Sequence, residues 1–127
     1  MKTKLILLFA IIGFAFTAAD LKAQTCQNFY VRNNTVCSFS YTLVWNCGGS
    51  LTYVNNTVSG NTSNIEANPG TWPNCCTFSK IGIMDCNGNT VTLNSSNTTA
   101  TICDCTGATV TVDLMWNGSA WGGVWIH

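Results

Sequence analysis

Eight cysteines hold most of the reactive chemistry in this 127-residue chain: Cys26, Cys37, Cys47, Cys75, Cys76, Cys86, Cys103 and Cys105. Such a set either binds metal as thiolates or joins in pairs. Structural zinc prefers about two to four residues between the cysteines of a ligand pair, whereas Cys75 and Cys76 are adjacent and only Asp104 separates Cys103 from Cys105. Bonds within these close pairs are also disfavoured. Adjacent cysteines strain the peptide between them, and alternate residues of a strand point the same way. Four disulfides are therefore expected, each of these four cysteines reaching a distant partner, with no metal and no other cofactor. Spacing leaves the pairing open.

Acid–base and nucleophilic catalysis find little to work with. His127 is the only histidine and the last residue, a place where order and packing are scarce, and no triad can be assembled around it. Asp85 precedes a turn, Asp104 lies between two cysteines, and Asp113 alternates away from an apolar strand face toward solvent. With Glu66 they read as turn chemistry and solubility, because acids are mostly exposed and a catalytic carboxylate needs a placed partner. No enzyme is expected.

Aromatic side chains offer binding chemistry instead. Of five tryptophans, Trp45, Trp121 and Trp125 alternate onto apolar strand faces and are expected in the core. Trp72, in the loop Pro69-Gly70-Thr71-Trp72-Pro73, and Trp116, beside Asn117-Gly118, sit where a large ring is harder to bury. An exposed indole amid Asn and Thr suits a sugar: the flat apolar side of a pyranose stacks on the ring while amides and hydroxyls meet its hydroxyl groups. Trp72, Trp116, Tyr30 and Tyr53 are therefore the candidate ligand-binding residues, and a polysaccharide or glycoconjugate is the candidate partner. A structural or adhesive role, through open edge strands that add to neighbours, is the alternative. Ice or other surface binding follows from the triplets Thr90-Val91-Thr92, Thr99-Ala100-Thr101 and Thr109-Val110-Thr111, which β-propensity alone also produces.

Lys2 and Lys4, then the uncharged run from Leu5 to Phe16 and small residues after it, form an export signal, too short to span a bilayer comfortably. Cleavage is expected after Ala23, with a second possible site near Ala19, giving a signal peptide over 1–23 and one domain over 24–127. An even cysteine set behind such a signal belongs to a secreted domain, extracellular or periplasmic. Downstream of the signal, Arg32 and Lys80 stand against Glu66, Asp85, Asp104 and Asp113. That leaves no basic patch for nucleic acid or an anionic membrane. Asn, Ser and Thr supply solubility, and the Asn-x-Ser/Thr triplets they create, such as that at Asn33, read as chance.

These residues must be positioned by strands, since apolar and polar residues alternate repeatedly and no long segment shows helical spacing. The clearest case sets Cys37, Phe39, Tyr41, Leu43, Trp45 and Cys47 on one face. Further strands are expected over 28–32, 51–58, 62–66, 77–85, 90–94, 99–103, 109–116 and 120–126, separated by Gly48-Gly49, Ser59-Gly60, Pro69-Gly70, Asn87-Gly88 and Asn117-Gly118. A three-residue loop of Cys86, Asn87 and left-handed Gly88 would pair Ile83 with Val91 and Ile81 with Leu93. A two-residue turn at Asn117-Gly118 would pair Trp116 with Ser119, Leu114 with Trp121, Val112 with Gly123 and Val110 with Trp125. The fold class is all-β: a small disulfide-stapled antiparallel β-sandwich, or a partly open barrel.

The run Phe29-Tyr30-Val31-Arg32-Asn33, Cys37 followed by Tyr41-Thr42-Leu43-Val44-Trp45, then Val58-Ser59-Gly60 with Ile65, Pro69-Gly70-Thr71 and Asp85-Cys86 resembles the opening half of thaumatin-like proteins. The resemblance implies a secreted, disulfide-stapled β-sandwich. This chain is much shorter, has far fewer cysteines and lacks the acidic residues of that family's glucan-binding cleft, so the resemblance implies no activity.

Overall fold

Period-two patterning creates strands with one apolar face each, and burying those faces against one another gives two layers. The computed structural model describes residues 25–127. The expected signal over 1–23 and its cleavage after Ala23 lie outside them. Nine strands run in order among the described residues: β1 (Phe29–Asn33), β2 (Phe39–Cys47), β3 (Ser50–Val58), β4 (Thr62–Glu66), β5 (Thr77–Met84), β6 (Thr90–Leu93), β7 (Thr99–Cys103), β8 (Thr109–Trp116) and β9 (Trp121–Ile126). One sheet has the order β4-β1-β9-β8-β7 and the other β3-β2-β5-β6. They form a sandwich rather than a closed barrel. The expected all-antiparallel pairing needs one correction: β1 and β9 lie side by side and parallel. Alternation fixes which face a residue takes and says nothing about the direction of the neighbouring strand.

β2 buries Phe39, Tyr41, Leu43 and Trp45, and β8 and β9 meet them with Val110, Val112, Leu114, Val124 and Ile126. Phe29 stacks on Phe78 with ring centroids 4.9 Å apart and meets Trp45 edge-on at 6.5 Å. Each such side chain contributes about 1.5–3 kcal/mol by leaving water.

The β5–β6 hairpin has the expected register, Ile83 opposite Val91 and Ile81 opposite Leu93, with Gly88 at φ 80°. The β8–β9 hairpin does not. Its loop runs from Asn117 to Ala120, where Asn117 Oδ1 accepts the N–H groups of Ser119 at 3.0 Å and Ala120 at 2.9 Å. Trp116 then pairs with Trp121, Met115 with Gly123, Leu114 with Val124 and Val112 with Ile126, leaving Gly122 as the extra residue of a bulge. This register buries Val124 and Ile126 and turns Trp125 to the outer face, contrary to the expected core placement. Trp121 is only partly buried at the rim. Trp121-Gly122-Gly123-Val124-Trp125-Ile126 is apolar in both phases, so alternation could not select the register, and the Asn117 side chain favours the longer loop.

All eight cysteines pair, as Cys26–Cys75, Cys37–Cys105, Cys47–Cys76 and Cys86–Cys103. Both close pairs split between distant partners, as expected. Cys37 and Cys47 sit at opposite ends of β2, so covalent ties secure both ends of the sandwich. Four disulfides belong to an oxidising, extracellular-type environment. Among the described residues no helix is long and apolar enough to cross a membrane.

Side-chain amides join the loops. Asn33, 1% exposed, donates to the carbonyls of Cys37 and Ser59 and accepts from Thr35. Its acceptor triplet is thereby closed to a glycan. Asn68 donates to the carbonyls of Gln27 at 2.9 Å and Cys76 at 2.8 Å, and accepts the N–H groups of Gly70 and Cys76.

Candidate functional site: the hollow beside Trp116

The candidate residues are all exposed: Trp116 at 56%, Tyr30 at 46%, Trp72 at 54% and Tyr53 at 59%. They do not form one face. Tyr30 alternates outward from β1 on the five-stranded sheet, while Tyr53 pairs with Val44 on the outer side of the four-stranded sheet. Trp72 stands in the turn closed by Asn74 N–H to the Thr71 carbonyl at 2.7 Å and borders neither hollow that Trp116 borders.

Trp116 and Tyr30 do come together, around a hollow of about 220 Å³ lined also by Gln27, Met115, Asn117 and Gly122. Strand pairing explains the meeting: Gly123 lies opposite Tyr30 on one side and Met115 on the other. A Cβ at Gly123 would stand 2.9 Å from the Met115 methyl and 3.2 Å from Tyr30 Cβ, and one at Gly122 would meet Gln27 Nε2 at 2.7 Å and Asn117 Nδ2 at 3.6 Å. The tandem glycines therefore clear the floor, and two amides converge over it. Trp121 braces the wall, its ring edge-on to Trp116 with centroids 5.0 Å apart. Gln27 is held from both sides, by Asn68 at its carbonyl and by the neighbouring Cys26–Cys75 bridge.

No protein-family model, curated protein or solved structure matches this chain. The site must be judged on its own chemistry. None of the residues lining the hollow is charged, and what it presents is aromatic rings, a thioether, amides and backbone. That combination can stack on an apolar ring face and exchange hydrogen bonds with hydroxyl groups.

Gln27, Met115, Asn117 and Gly122 were missed from sequence. The usable signal was Trp121-Gly122-Gly123 inside a strand, since glycine there marks a bulge or the close approach of another group.

The charged side chains lie elsewhere. His127, expected to be poorly ordered, is instead fixed: its backbone exchanges hydrogen bonds with Thr111, its ring stacks on Trp125 at 4.0 Å, and its Nε2 lies 2.7 Å from Asp113 Oδ2. Arg32 covers the Trp125 ring at 5.6 Å. The Thr99 hydroxyl, first, and His127, second, hold the Asp113 carboxyl below its ordinary range. Asp104 is lowered mainly by the Thr106 hydroxyl, together with backbone N–H groups of its turn. Burial, then a hydrogen bond to Glu66, raises the Tyr41 hydroxyl.

Proposed function

We propose that the protein is a secreted, non-enzymatic carbohydrate-binding module whose sugar lies in the hollow between Trp116 and Tyr30. One observation carries this reading: two exposed aromatic rings and two side-chain amides converge over a glycine floor. A pyranose would stack on Trp116 and offer hydroxyl groups to Gln27 and Asn117. Tyr53 and Trp72 are left out of the site. Affinity electrophoresis through gels containing soluble polysaccharides tests it. Retarded migration in at least one neutral polysaccharide is expected, and unretarded migration across a panel of neutral glucans, mannans and N-acetylated glycans would contradict it.

A structural or adhesive role is favoured by a different observation. β3 is a nine-residue edge strand, with Leu51 and Tyr53 exposed on its outward side. Such an edge can add a strand from a neighbour. Sedimentation across a concentration series distinguishes this role by reversible self-association. The threonine triplets divide between the two sheets, Thr90 and Thr92 on one and Thr99, Thr101, Thr109 and Thr111 on the other, which weakens the case for an ice-binding plane.

A further inference from the structure

Trp116 borders two hollows. Beside the one it shares with Tyr30 lies a second, of about 290 Å³, lined by Trp45, Phe78, Trp121, Ala120, Thr77, Cys75 and Cys76, and Gln27 borders both. This second hollow is mainly apolar, and none of the residues lining it is charged. At its base Trp45, only 2% exposed, has an indole Nε1 that is enclosed and without a hydrogen-bond partner among the described residues. An unpaired buried donor is unfavourable.

Resting on the sugar-binding reading, we infer that the ligand is an N-acetylhexosamine polymer, whose acetamido group enters this second hollow while its ring stacks on Trp116. The acetyl methyl requires an apolar, uncharged recess beside the stacking ring, and the recess between Trp121, Phe78 and Ala120 is one. The acetamido group would then lie beside Trp45, whose side chain borders this hollow. Gln27, bordering both hollows, is placed to meet the acetamido N–H and the adjacent ring hydroxyl. A plain glucan stacks on Trp116 equally well and leaves the recess unfilled. A uronic acid would bring a charge that nothing lining either hollow answers.

Calorimetric titration of the oxidised protein with a β-1,4-linked N-acetylglucosamine hexamer and with the matching glucose hexamer tests the inference. The acetylated hexamer is expected to bind roughly fourfold more tightly, consistent with burial of one methyl, and to shift the Trp45 indole N–H resonance, which the glucose hexamer leaves in place. Ala120→Leu, which fills the recess, should reduce the affinity for the acetylated hexamer to that for glucose without changing the latter. Equal affinities in the native protein, or an unmoved Trp45 resonance, would overturn the inference. If both hexamers then lose binding in Trp116→Ala, the stacking site itself survives. Failure of either hexamer to bind the native protein would remove the inference together with the sugar-binding reading beneath it.

Discussion

At the scale of single residues, two tryptophans of similar size carry opposite loads. Trp116 is more than half exposed, so Trp116→Ala is expected to abolish polysaccharide retention while the melting temperature stays nearly unchanged. Trp45 is buried in the core cluster, and Trp45→Ala should cost about 3–5 kcal/mol through the cavity it leaves; denaturant melts of both variants check the contrast. Titration separates three other residues. Asp104 and Asp113 are held below the ordinary value of 3.8 by the hydroxyls of Thr106 and Thr99. Their contribution is complete above that value and is lost as pH falls through the lowered folded values. Tyr41 is raised above 10.0 by burial, so its contribution is complete below that value and fades as pH climbs beyond it. Thermal melts from acid to alkali should therefore show a plateau with two falling limbs, the acid limb shallower in Asp104→Asn and the alkaline limb shallower in Tyr41→Phe.

At the scale of elements, the site depends on the bulge at Gly122 and on the loop that carries Gln27. Gly122→Val would drive a side chain into the Gln27 amide, and is expected to remove sugar binding with a smaller loss of stability than Asn68→Ala, which frees the Gln27 carbonyl, the Cys76 backbone and Gly70 together. For Asn68→Ala a loss of about 2–3 kcal/mol is expected from the four part-buried hydrogen bonds removed, measured by urea denaturation. These elements also show where the sequence was legible. β2 announces itself because its odd positions are apolar and its even ones mostly polar, so one phase is far better than the other. The β5–β6 hairpin was equally readable, since only one loop length sets Ile81 and Ile83 against Leu93 and Val91. β9 was not, because Trp121, Val124, Trp125 and Ile126 supply apolar residues to both faces, and the choice falls to the Asn117 side chain and the strands on either side. The same ambiguity hid the site. Its floor is made of glycines, and Gln27 reaches it from a segment whose path is set by a disulfide and the Asn68 side chain.

At the scale of the whole molecule, an apolar core between two small sheets is secured by covalent ties at both ends of β2. Removing one bridge, for example by Cys37→Ser with Cys105→Ser, should cost roughly 2–5 kcal/mol, and intact mass with and without reduction should show four bonds and no alkylatable thiol in the native protein. These ties also hold the site. Cys26–Cys75 secures the segment bearing Gln27, and Cys75 and Cys76 line the recess beside Trp116. Trp72 and Tyr53, equally exposed, lie outside the hollow that Trp116 and Tyr30 share, and this separation divides the four aromatic residues by role. Retention on an insoluble polysaccharide that binds the native protein, compared among Trp116→Ala, Tyr30→Ala, Trp72→Ala and Tyr53→Ala, tests it most directly: binding is predicted to be lost in the first, weakened in the second and kept in the last two, whereas loss in Trp72→Ala or Tyr53→Ala with retention in Trp116→Ala would contradict it.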